Sequence, residues 1–216
     1  VILALLLACG GPDALDPDLA DPAALPACGP AAPVLTHRTL TVALWAGGVP
    51  EAAARRALAR ADAVWSAAGV HLVATGPVRP YPQTSALTGD ADPAAGAEAA
   101  IDALAAPLAA LDPGDADLGL LVTRHVVDPS HPFAAAGLTG LTLTRGRARP
   151  LVLLGWDDLH AAGGTGAALT PAHEVGHALG LPHADDPRDL MAPLPPPCRP
   201  VPAAPASATL PSPEAL

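Results

Sequence analysis

The run "LTPAHEVGHALGLPHADD", Leu169 to Asp186, constrains this chain more than any other part, because its histidines are useful together only if a helix forms and then stops. His173 and His177 are four apart, which on an α-helix places them on one face, about 40° apart around the axis and about 6 Å along it. His183 does not fit that helix, since continuing it would carry the third ring to the wrong side, about 9 Å beyond His177. The residues between supply a bend. Gly180 can adopt the left-handed conformation that ends helices, and Pro182 lacks an N–H and drives Leu181 out of helical geometry. The chain can then double back and offer His183 to the point that His173 and His177 face.

Three neutral imidazoles with a fourth position open are the ligand set of a catalytic zinc, whereas structural zinc sites close with four ligands rich in cysteine. Glu174 lies beside His173 on the helix and points past the metal, where it can hold a water as a base and not as a ligand. A short H-E-x-x-H match occurs by chance in unrelated chains, but the extended spacing and the bend are far more specific.

"HEVGHALGLPH" resembles H-E-x-x-H-x-x-G-x-x-H, the signature of the metzincin clan of zinc endopeptidases, and is most similar to its matrixin-like branch. Metzincins also carry a methionine in a tight turn under the zinc. "RDLMAP" places Met191, the only methionine, eight residues after His183, and Pro193 stands two further on, as in matrixins. The resemblance implies zinc on His173, His177 and His183, with Glu174 as general base for a zinc-activated water that hydrolyses polypeptide substrates without a covalent intermediate. It also implies that Gly180, Met191 and Pro193 shape the site and that the segment Ala192 to Pro197 walls a specificity pocket.

Elsewhere the pattern alternates between strand and helix. Thr39–Trp45 ("TLTVALW") alternates as a strand, and a helix then begins at Pro50 and Glu51, with Ala54, Leu58, Ala61 and Trp65 on one face, and stops at Gly69. Val70–Ala74 reads as a strand, the stretch to Asp92 as a loop, and Pro93–Ala105 as a helix broken at or before Pro107. Leu118–Thr123 is an apolar, central strand; Leu138–Thr144 ("LTGLTLT") alternates as an edge strand; Leu151–Leu154 is another strand, and the histidine helix follows. This order predicts an α/β fold, one mixed sheet with packed helices, which the metzincin resemblance implies is mostly parallel and twisted. The metzincin layout adds an antiparallel edge strand, here "LTGLTLT", that pairs with an extended substrate.

The ends differ in character from the middle. Val1 to Ala8 is an apolar run too short to span a bilayer, and Leu6-Leu7-Ala8-Cys9 resembles a bacterial lipobox whose cysteine becomes lipidated. Residues 1–9 therefore read as the end of a signal peptide, 10–33 as a Pro/Ala/Asp linker, 34–193 as the catalytic domain and 194–216 as a Pro-rich tail. An exported chain, tethered to the cell envelope through Cys9 or secreted, favours a Cys28–Cys198 disulfide over free thiols. "PACGP" around Cys28 also loosely resembles the cysteine switch of matrixin propeptides, with Ala27 where that motif has arginine. A net charge of −10 argues against nucleic acid as a partner, and every one of the 11 basic residues is arginine.

Other candidates are weaker. His125, Asp128 and His131 lack the spacing of the second matrixin zinc and read as a polar loop. Asp157, Asp158 and His160 read as solvated loop and capping residues before the histidine helix. "LDPGDADLG" lacks EF-hand spacing and reads as a turn, leaving calcium open, and "GGTG" at 163–166 has no lysine to make a phosphate loop. The reading that results is a monomer acting as an exported zinc endopeptidase. Two others compete with it: a silent zinc-containing surface lipoprotein, against which the intact Glu174 speaks, and a zinc hydrolase of non-peptide amides.

Overall fold

The strands that form the centre of the molecule are those whose two faces are both apolar, as parallel strands covered on either side by helices must be. In a computed structural model, which describes residues 25, 27, 28, 37–92, 96–193 and 198, these are β1 (Arg38–Gly47), β5 (Leu118–Thr123) and β8 (Leu151–Gly155). Cys9, most of the 10–33 linker and nearly all of the 194–216 tail lie outside the described residues. Parallel β2 (Val70–Ala74) lies on one side of this centre, antiparallel β7 (Gly140–Leu143) on the other, and the order is β2-β1-β5-β8-β7. β3 (Arg79–Pro80) pairs with the far end of β1. The sheet is mixed, as the element pattern predicts, and mostly parallel with one antiparallel edge strand, as the metzincin resemblance implies.

Side-chain alternation sorts the core into two layers. Leu40, Val42 and Leu44 of β1, Leu118, Leu120 and Val122 of β5, and Val152 and Leu154 of β8 join one cluster with α1 (Glu51–Trp65) and α4 (Gly164–Ala178). Ala43 and Trp45, Leu121, and Leu151 and Leu153 face the other way, against α2 (Ala97–Ala105) and the 3-10 turn that follows it. The expected face of α1 is the buried one, since Ala54, Leu58, Ala61 and Trp65 are all in the first core. Gly69, at φ 80°, ends the short 3-10 extension of that helix in the left-handed conformation.

Three details depart from the expected pattern. The segment before Asp92 contains β4 (Ser85–Leu87), which pairs with β6 (His125–Val127) in a separate two-stranded parallel sheet. Strands of three residues are too short for alternation to reveal, and Val126 and Val127 are buried despite the polar residues around them. Trp156–Ala162 forms a short helix, α3, instead of a loop. The Gly163–Gly164 pair, both at positive φ, separates it from α4, which is the structural use of "GGTG". The third is α2, expected from Pro93 but starting at Ala97, with 93–95 outside the described residues. "LDPGDADLG" is a turn: the Asp112 carboxylate accepts from Gly114 N, and Asp117 accepts from both the N–H and the hydroxyl of Thr41.

Candidate metal centre

Helix α4 is held on the sheet by Ala167, Leu169, Ala172, Val175 and Ala178, all buried in the first core. The buried indole N–H of Trp65 also donates to Ala172 O at 2.9 Å, so α1 fixes the height of α4 two residues before its glutamate. On this helix His173 and His177 are half-buried and Glu174 is buried.

The helix stops where the sequence requires. Gly180 N donates to His177 O and Leu181 N to Gly176 O, at 2.9 and 3.0 Å, the paired bonds of a Schellman motif, with Gly180 left-handed at φ +84°. The chain turns back and carries His183 to the other two rings. The candidate ligand atoms of His173, His177 and His183 all lie within 4.8 Å of one another, and no other set of three or more His, Cys, Asp or Glu converges this way among the described residues.

Hydrogen bonds decide which nitrogen each ring presents. A carbonyl can only accept, so His173 Nδ1–H donates to Leu190 O at 2.7 Å and His177 Nδ1–H to Leu181 O at 2.9 Å. Both Nε2 atoms are therefore left as lone pairs for a metal. His177 Nε2 and His183 Nε2 are 3.2 Å apart. Two nitrogens on a tetrahedral zinc at 2.0–2.1 Å are separated by about 3.3 Å, so this pair fits zinc in spacing and the three imidazoles fit it in type. Burial pushes the His173 ring down to about 4, so it stays neutral and able to coordinate in mildly acidic solution, and burial lowers the His177 ring in the same direction.

The turn at Met191 braces two of the three histidines. Leu190 O receives His173, and Met191 O receives Ala184 N at 2.9 Å, the amide next to His183. Asp189 holds the turn from within by accepting from Met191 N at 2.8 Å. The Met191 thioether lies against the helix at Gly176, where a Cβ would come within 2.3 Å of its sulfur. Gly176, Asp189 and the two carbonyls were not singled out from the sequence; a glycine one turn before Gly180, on a helix that must lie over a methionine, is the signal that marks the first of them. Pro193 is exposed at the end of this turn, and residues 194–197 of the expected pocket wall lie outside the described residues.

Glu174 faces the edge strand. Its carboxylate Oε2 accepts from the Thr142 hydroxyl at 2.7 Å, and burial raises its pKa from 4.5 to about 7, with the Thr142 bond opposing that rise. Gly140 leaves room for it, since a Cβ there would lie 2.8 Å from Glu174 Cγ and 2.8 Å from Thr170 Cγ2. Gly140→Ala is accordingly expected to lower stability by about 1–3 kcal/mol, the usual cost of overpacking, as read from denaturant midpoints at unchanged m.

The remaining candidates lie elsewhere. His125 Nδ1 pairs with Asp158 Oδ1 at 2.9 Å, whose other oxygen accepts from Val126 N at 2.7 Å, so this cluster clips α3 to β6. Asp128 accepts from Ser130, and His131 Nδ1 accepts from Phe133 N. His160 donates to Trp156 O within α3. Cys28 is bonded to Cys198, with S–S 2.01 Å, so its thiol is not a fourth ligand of the triad.

Residues 138–200, from the edge strand through the triad and the Met191 turn, match the family model described as Matrixin. No curated protein matches the chain. Among solved structures it is similar to archaemetzincin from Methanopyrus kandleri, 19% identical over 71% of this chain and 81% of that one, with a TM-score of 0.39. It is also similar to a zinc-dependent peptidase from Methanocorpusculum labreanum, 21% identical over 70% of this chain and 87% of that one, TM-score 0.39. Metalloproteinase-II from Bacteroides fragilis is 14% identical over 81% of this chain and 52% of that one, TM-score 0.43. These likenesses are distant. The Matrixin match and the converging imidazoles together mark a zinc site of the metallopeptidase kind.

Proposed function

We propose that this protein is an exported zinc endopeptidase in which His173, His177 and His183 hold the metal and Glu174 is the general base. The observation that carries this reading is the convergence of the three imidazoles, with the residue that follows His173 on the same helix a buried glutamate bonded to the edge strand. Held by these three rings, zinc would supply a Lewis acid for the scissile carbonyl and would bring the pKa of water toward about 7. Glu174 takes the proton from the attacking water and returns it to the leaving amine. Without metal, burial raises this carboxyl to about 7, and the charge of a bound zinc would act in the opposite direction, favouring the ionised form that a base needs.

The substrate is placed by β7. It ends the sheet order, so one side of its backbone is free of strand partners among the described residues and can receive an extended peptide by main-chain hydrogen bonds. That geometry favours a polypeptide over a small amide. The resemblance of Leu6–Cys9 to a lipobox supports export, with Cys9 as the lipid anchor.

The test is incubation of the zinc-loaded protein with a library of unstructured peptides, with and without a chelator. Cleavage at internal bonds that chelation abolishes and zinc restores is the expected result. Removal of terminal residues only would refute an endopeptidase. Zinc bound at one per chain with no peptide cut would favour the binding lipoprotein, or a hydrolase of other amides.

A further inference from the structure

Alternate side chains of β7 do different work. Leu141 and Leu143 pack into the second core, whereas Gly140 and Thr142 face α4. The Thr142 hydroxyl lies 2.7 Å from Glu174 Oε2 and 2.8 Å from the main-chain oxygen of the same residue. One group thus spans both ends of the glutamate and sets where the carboxylate sits relative to its own backbone. A glutamate has three side-chain torsions, and a β-branched threonine in a strand has a stiff χ1, so the strand lends rigidity to the flexible partner. Gly140 walls the other side, its Cα hydrogens standing where a methyl would push Glu174 Cγ away.

We propose that Thr142 is a positioning residue: its hydroxyl, carried on the strand against which a peptide pairs, fixes the Glu174 carboxylate for proton transfer. This rests on the role given to Glu174 above, and it adds that one strand both receives the substrate and aims the base. Shifting β7 shifts both together.

The test compares Thr142→Val, which keeps the shape and removes the hydroxyl, with Thr142→Ser, which keeps the hydroxyl, in the full chain loaded with zinc. Losing a hydrogen bond to a charged group should lower kcat about 10- to 100-fold for Thr142→Val. KM should stay within about twofold, because the peptide ladder is untouched. Zinc should remain at one per chain, and Thr142→Ser should recover most of the rate. A Thr142→Val enzyme as fast as the wild type, or a serine variant as slow as the valine one, would overturn the proposal, as would loss of zinc in step with loss of rate.

A second readout does not depend on turnover. The Thr142 hydroxyl proton should appear in the NMR spectrum as a slowly exchanging resonance that disappears in Glu174→Ala. If it persists there unchanged, the hydroxyl serves only the main-chain carbonyl and the proposal fails. A wild type that cuts no peptide would sink the peptidase reading, and the hydroxyl resonance would still decide whether Thr142 holds the carboxylate.

Discussion

Glu174→Gln is expected to lower kcat/KM about 10²- to 10⁴-fold, the range attributed to a positioned general base, while zinc remains bound. The same substitution should make the metal-free protein more stable in alkaline solution. Burial holds the folded carboxyl at about 7 against 4.5 in its ordinary state. A raised folded pKa means that stability is fully present below about 4.5 and is lost as pH rises through about 7. At pH 8 the penalty is about 3 kcal/mol, and a glutamine, which never ionises, escapes it. Melting curves of the two metal-free proteins should therefore agree at pH 4 and separate by pH 8, with the variant higher. Coincident curves at pH 8 would mean that Glu174 is not desolvated as described.

His173→Ala is expected to remove zinc and activity together. The ring is one of three donors, and its Nδ1–H also anchors Leu190 O in the Met191 turn, so the substitution strikes the metal and the brace beneath it. Losing an outer partner of a ligand costs about 10- to 100-fold in metal affinity, and losing the ligand itself should cost more. In calorimetry, zinc at about 100 times the dissociation constant should stabilise the wild type by about 2.7 kcal/mol and the variant by much less. Acid should have a related effect on the metal-free wild type. With His173 held at about 4 in the fold, its contribution is complete above the ordinary value of 6.5 and is lost as pH falls toward 4.

The bend was readable from the letters because helix-ending chemistry is local. Gly180 and Pro182 need no knowledge of the rest of the chain to stop α4, and the turn back to His183 follows from them. The layered sheet was readable for a similar reason, since apolar runs such as "LGLLVT" and "LVLLG" demand cover on both faces. What escaped depends on contacts between distant residues. Thr142 meets Glu174 across 32 positions of sequence, and Asp158 meets Val126 across 32. The alternation in "LTGLTLT" does place Gly140 and Thr142 on one face, but only the packed helix shows that this face carries the carboxylate. The short β4–β6 pair and α3 were missed because three to seven residues hold too little periodicity to separate them from loop.

The central claim, that one zinc on three histidines drives peptide hydrolysis, is tested most directly by titrating zinc into the metal-free protein while counting new amino termini released from a denatured protein. The rate should rise with each addition and break sharply at one zinc per chain. A rate indifferent to zinc, or a site that fills at one equivalent while no termini appear, would contradict it.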